Sequence, residues 1–237
     1  MNLVWAWLAD PAHWQGTGGI PARIAEHLLY SALVLVLAAA VAVPLGLWIG
    51  HTGRGRVVVV NVVNGMRSVP TLGLLYVSVL VLAPRLRGDW AFLTPAIIVL
   101  FLLAMPPILA GAYAGVAEVD PGVRDAARGM GMSGLEVLWG VEIPCALPLI
   151  FSGLRSATLQ VIATATVAAS VSVGGLGRFL IDGLAARDYG QMAGGALLIG
   201  LVALAVDGVF ALVQRVAVSP GLRPARPLKT HEAIPAS

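Results

Sequence analysis

The sequence predicts an all-α integral membrane protein of about five transmembrane helices, with a polar helical elbow between the third and the fourth. Three observations predict it. Of the 237 residues, 58% are hydrophobic and 11% charged, against about a quarter charged in an ordinary soluble domain, so too little polar surface remains to face water everywhere. Five stretches reach the length of about 20 mostly apolar residues that crosses a bilayer, namely 28–49, 57–82, 93–116, 147–173 and 192–213. The polar segment 118–136 carries helix-capping chemistry instead of linker composition.

Taken in order, residues 1–26 form an N-terminal interfacial segment in which Trp5, Trp7 and Trp14 read as membrane-interface anchors. This stretch has no basic region followed by a cleavage site, so no cleaved signal peptide is expected. Residues 27–212 hold the spans as one membrane domain, since no linker interrupts them. The first and third spans are plain apolar runs. The second carries Asn61, Asn64, Arg67, Ser68 and Pro70, polar groups too costly to leave in hydrocarbon, so this part should face protein or water. The fourth repeats Ser152, Ser156, Gln160 and Thr164 every four residues, on one drifting helical face. Small residues there fit tight helix packing, and a hydroxyl-and-amide face equally fits a solute pathway. Gln160 favours the pathway, being too large to serve close packing. The fifth span is nearly free of polar side chains before Asp207. Residues 213–237 turn Pro- and charge-rich and read as a disordered tail.

The elbow is the most informative segment. Asp120 can cap a short helix that has Pro121 in its first position, where a missing N–H costs nothing. Gly131 can end that helix in a left-handed turn. Ser133 and Glu136 then form an S-x-x-E capping box opening a second helix, expected to run to about residue 143, where Pro144 kinks it into the fourth span. Ala126 and Ala127 keep one side slim, which suits insertion into a groove on another protein; an ordinary helical loop is the plainer alternative.

Charge leans toward one orientation without fixing it, because the bias rests on the C-terminal cluster. With the N-terminus outside, the inner side collects Arg54, Arg56, Arg124, Arg128, Arg215, Arg223, Arg226 and Lys229, against Arg23, Arg85, Arg87, Arg178 and Arg187 outside. The net charge of +3 fits such anchoring and not nucleic-acid binding. The single cysteine, Cys145, excludes an internal disulfide.

The elbow resembles the "EAA" motif of ABC importer permeases: Asp125-Ala126-Ala127, then Gly131, then Val141-Glu142-Ile143-Pro144, with Asp125 in place of the usual Glu. Ser68-Val69-Pro70-Thr71-Leu72, Thr94-Pro95-Ala96-Ile97-Ile98, Pro106-Pro107-Ile108-Leu109, Ala126 through Met132 and Gly174-Gly175-Leu176-Gly177 extend the resemblance over residues 27–212, toward the permeases for glycine betaine, choline and carnitine. The resemblance implies a type I importer permease fold in a bacterial plasma membrane. It implies that the elbow is cytoplasmic and is the coupling helix that docks on a separate ATPase, through Asp125, Ala126, Ala127, Gly131 and Pro144. It also implies a second permease, identical or a sister chain, and an extracytoplasmic binding protein. Asn64, Arg67, Ser156, Gln160 and Thr164 are the candidate pathway residues.

The chain itself has no Gly-x-x-x-x-Gly-Lys-Ser/Thr, so ATP and its Mg²⁺ are expected on the partner. An intramembrane enzyme is the main rival class, yet neither His-Glu-x-x-His nor Gly-x-Ser-x-Gly occurs, and His13, His27, His51 and His231 are scattered. A non-transporting scaffold would need neither the polar face nor the capped elbow. An amino acid remains an alternative solute, since tryptophans and tyrosines form no evident cage for a quaternary ammonium.

Overall fold

The computed structural model of the chain describes residues 2–171 and 173–218, and the described residues are helical with turns between. Helix α1 is Asn2–Ala9, and α2, Ile20–Thr52, is the first span, extended at both ends beyond its apolar run. Next come helices α3 (Arg56–Arg67) and α4 (Thr71–Leu82). Helix α5 is Trp90–Ala117, α6 is Pro121–Gly129, α7 is Gly134–Val137, and α8 is Ile143–Ala168. Helices α9 (Gly177–Ala186) and α10 (Tyr189–Ala217) complete the order. Among the described residues, four helical segments are long and apolar enough to cross a membrane: Ile20–Thr52, Trp90–Ala117, Gly134–Val171 and Tyr189–Ala217.

The second expected span is not continuous. It is two helices of 12 residues each, α3 and α4, separated at Ser68-Val69-Pro70. Pro70 has no N–H to continue the ladder and its ring disfavours helical backbone at Val69, so the chain breaks there and restarts at Thr71. Helix α9 is an element that the apolar runs do not announce, and α10 continues to Ala217, past the expected start of the tail, since no Gly or Pro interrupts the chain between Gly208 and Pro220. The remainder of that tail lies outside the described residues.

The core is a bundle of α2, α5 and α8. Val34, Ala38 and Ala42 of α2 pack with Leu100, Ala104 and Ile108 of α5 and with Ala157, Val161 and Ala165 of α8, all buried. Alanines recur because small side chains let helix backbones approach where lipid offers no hydrophobic drive. The approach is closest where α5 crosses α8: a Cβ on Gly111 would lie 2.6 Å from the Leu149 carbonyl oxygen, and one on Gly153 2.6 Å from that of Pro107. Any other residue at either position would push the two spans apart.

Helix α10 is peripheral. Its buried residues, Gly190, Gly194, Gly195 and Leu198, all lie in its first turns, whereas Leu201, Leu204, Val209, Leu212, Val213 and Val216 are exposed. Trp7 corrects one expectation. It is 6% exposed and is no interface anchor: it stacks on His13 with ring centroids 4.5 Å apart and meets Phe179 edge-on at 5.1 Å. Glycine at 194 makes the room, since a Cβ there would collide with the indole. Trp5 and Trp14 are exposed.

Candidate functional site

The elbow's local chemistry folds as its residues dictate. The Asp120 carboxylate accepts from the Gly122 N–H at 2.7 Å at the start of α6, with Pro121 in the first turn. Gly131 adopts φ +90°, the left-handed region that a side chain makes costly, and so turns α6 into α7. At α7 both halves of the Ser133/Glu136 capping box form, the Ser133 N–H donating to Glu136 Oε2 at 2.6 Å.

Beyond α7 the chain departs from expectation. No break in the helix separates the elbow from the fourth span. Leu138–Glu142 form a turn of π-helix, with the Ile143 N–H donating to the Leu138 carbonyl, and α8 begins directly after it. Pro144 sits in the first turn of α8; it cannot donate to the Gly140 carbonyl, and the wider π turn accommodates its ring without breaking the rod. Gly134–Val171 is therefore one continuous helical segment of 38 residues.

The elbow presents two faces. Ala127 and Val137 are buried against the body. Outward stand Asp125 and Ala126, together with four exposed apolar side chains: Val123, Met130 (78% exposed), Leu135 and Trp139. Beneath them lies a charged cluster that sequence reasoning missed. Glu142 is 1% exposed; its Oε2 lies 2.6 Å from His51 Nδ1 at the end of α2, and its Oε1 lies 2.9 Å from Arg124 Nε of α6. Arg124 also donates through Nη2 to the Val116 carbonyl at the end of α5.

Of the candidate pathway residues, Ser156 and Gln160 come together. They line a cavity of about 80 Å³ with Met66, Leu103, Pro106 and Pro107. Thr164 parts from them. Its hydroxyl donates back to the Gln160 carbonyl at 2.6 Å, and it borders an apolar crevice with Leu75, Ala96 and Val99. The side chains of Asn64 and Arg67 lie outside the described residues. Next to Ser156, Arg155 pairs with Asp207 of α10 through two contacts, Nη2 to Oδ2 at 2.5 Å and Nε to Oδ1. The signal for this pair was in the sequence: Arg155 is the only charged residue between 143 and 168, and Asp207 the only acidic one in α10, and lone charges in two spans seek each other.

At the other end of α2 a wide cavity of about 590 Å³ opens among Arg23, Glu26, Tyr30, Asp89, Phe92 and Arg178. Glu26 pairs with Arg23 at 2.8 Å and accepts from the Gly175 N–H at 2.8 Å, tying α2 to the Gly174-Gly175-Leu176-Gly177 segment. Arg178 pairs with Asp182 at 2.7 Å. Tyr30 and Phe92 are two aromatic walls that the sequence did not bring together.

Comparison with known proteins agrees with this architecture. The chain is 33% identical over 201 residues to the glycine betaine/carnitine/choline transport system permease OpuCB of Bacillus subtilis, covering 85% of this chain and 89% of the relative. It is 35% identical over 182 residues to the carnitine transport permease OpuCB of Listeria monocytogenes, covering 77% and 80% respectively. It is 32% identical over 198 residues to the osmoprotectant import permease OsmW of Salmonella typhimurium, covering 84% and 91%. Among solved structures it resembles a chain of the MetNI methionine ABC transporter in an inward-facing conformation, with a TM-score of 0.74 at 19% identity, covering 89% of this chain and 99% of that one; at this identity the likeness shows the fold. Residues 42–223 match the family described as the binding-protein-dependent transport system inner membrane component, and the chain belongs to that family.

Proposed function

We propose that this chain is the permease subunit of an ATP-driven importer of osmoprotectants of the glycine betaine, choline and carnitine type. The observation that carries the reading is the elbow. It is capped at both helix starts, fixed against the body on one side, and exposes Val123, Met130, Leu135 and Trp139 on the other. Four apolar side chains beside Asp125 and Ala126 are costly to leave in water and suited to a groove on a partner ATPase, which would hold the ATP and Mg²⁺. The elbow is then cytoplasmic, which puts the N-terminus outside and the C-terminus inside. The solute class comes from the relatives, whose names share it.

In this reading the cavity at Arg23, Glu26, Tyr30 and Asp89 faces outward, where a binding protein delivers solute. The polar lining by Ser156 and Gln160 lies further along the route, and a second permease completes the wall. Hydroxyl and amide groups suit passage because they bind weakly enough to release.

The test is reconstitution. The chain is co-expressed with the ATPase, any sister permease and the binding protein encoded by neighbouring genes, and the complex is placed in proteoliposomes. ATP-dependent uptake of labelled glycine betaine, choline or carnitine is expected. Uptake of an amino acid in place of all three would overturn the solute class and keep the importer. Failure of any ATPase to co-purify would leave a non-transporting scaffold as the better reading.

A further inference from the structure

Glu142 is a buried carboxylate for which the importer reading has no use. Taking a charge out of water is costly, and a buried ion pair seldom outperforms apolar packing of the same volume. What the group does contribute is geometric definition. Its two oxygens reach two side chains on two other elements: His51 Nδ1 at 2.6 Å, on the last turn of α2, and Arg124 Nε at 2.9 Å, on the elbow helix α6. Arg124 in turn donates through Nη2 to the Val116 carbonyl at the end of α5, while its Nε meets Glu142 as an ion pair without hydrogen-bond alignment. Glu142 itself ends the π turn that opens into α8. The His51 ring also closes against the first residue of α7, since a Cβ on Gly134 would lie 3.6 Å from Nε2. One carboxylate therefore joins the elbow to the ends of all three helices that form the core bundle.

We propose that Glu142 is a positioning residue that makes the elbow and the adjoining ends of α2, α5 and α8 one rigid body, so that a push on the elbow moves three spans together. This rests on the importer reading for its purpose. The mechanical alternative is a hinge at Pro144 that tilts α8 alone. The clamp across Pro144, which ties Glu142 to α2 and α6, points away from a hinge.

The test measures the rigid body directly. Cys145 is replaced by Ala, and nitroxide labels are placed at Thr52, at the end of α2, and at Arg128 in α6, both exposed. Labelled permease is diluted with unlabelled chain, assembled with its ATPase in nanodiscs, and the label-to-label distance is read by pulsed electron paramagnetic resonance with and without trapped ATP. One narrow distribution with the same mean in both states is expected. In Glu142→Gln it should broaden and become state-dependent, while uptake per ATP hydrolysed falls about tenfold, within the range of ordinary coupling energies. Glu142→Asp should restore part of the coupling. A shift of the unsubstituted distance between states, larger than the width of the distribution, overturns the proposal, as does a Glu142→Gln complex with unchanged coupling. Uptake and hydrolysis falling in proportion would also overturn it, showing a merely structural role. The distance measurement needs no solute, so it decides even if the complex imports no betaine, and it needs no variant at Glu142 to assemble.

Discussion

The two ends of α2 are built on opposite plans. At the elbow end, His51 closes on a carboxylate that is 1% exposed, and every charge in the cluster has a partner on another element. At the other end, Arg23, Glu26 and Tyr30 stand around an open cavity of about 590 Å³, where Glu26 is ion-paired but reachable by water. The same residue chemistry, acids and bases within hydrogen-bond reach, gives rigidity where water is excluded and a hydrated, adjustable surface where it is not. A helix of 33 residues spans about 50 Å, so these two regimes are held at opposite ends of one rod. Force would enter at the locked end and solute at the open one.

The largest expected effect tests the locked end. Gly131→Val requires a β-branched residue at φ +90° and should abolish uptake, with membrane insertion and expression intact by surface labelling. Normal ATP-driven uptake in this variant would remove the elbow from the coupling path. Next in size is the pair at mid-rod. Arg155→Ala or Asp207→Ala alone leaves a charge without its partner between α8 and α10, and each should lower the thermal unfolding temperature in detergent more than the double variant Arg155→Leu/Asp207→Leu does. Losses that simply add in the double variant would show the two residues to be uncoupled.

A smaller effect separates the candidate pathway residues. With Cys145 removed, cysteines at Ser156 and Gln160 should react with water-soluble thiol reagents, faster in one nucleotide state, and one at Thr164 should react more slowly because it borders an apolar crevice. Equal inertness at all three would leave helix packing as the explanation of that face. The smallest effect belongs to the open end. Asp89→Asn should change uptake only a few-fold and mainly at low ionic strength, since hydrated charges are screened. A salt-independent loss as large as that of Gly131→Val would erase the contrast between the two ends.

Local chemistry was legible in the sequence wherever one residue type answers one backbone requirement. Asp120, Pro121, Gly131 and the Ser133/Glu136 box announced the elbow because caps and left-handed turns admit few residues. The apolar runs announced the long helices for the same reason. What stayed hidden depends on distance through space. Nothing local in His51, Arg124 and Glu142 shows that His51 and Glu142, 91 positions apart, will meet. Pro70 and Pro144 both signalled a disruption, yet one breaks its helix and the other sits behind a π turn in an unbroken rod. The difference lies in the neighbouring packing, where Ala146 and Ile150 are buried against α5 and hold α8 in place. Trp7 was misread because an N-terminal tryptophan looks the same in sequence whether it meets lipid or the glycine at 194.

The π turn at Leu138–Glu142 also fixes an angle. Each residue of an α-helix advances its side chain by about 100° around the axis, so one residue more or less within that turn re-phases everything beyond it. Deleting Gly140, which is exposed, would leave the Asp125-Ala126-Ala127 segment and the Ser156 and Gln160 face intact as sequences, yet aim them about 100° apart from their present relation. The direction in which the fourth span shows its polar side, relative to the exposed apolar face of the elbow, is thus stored as a single-residue count. Two permeases with identical motifs on either side of this turn could present different walls to the same channel.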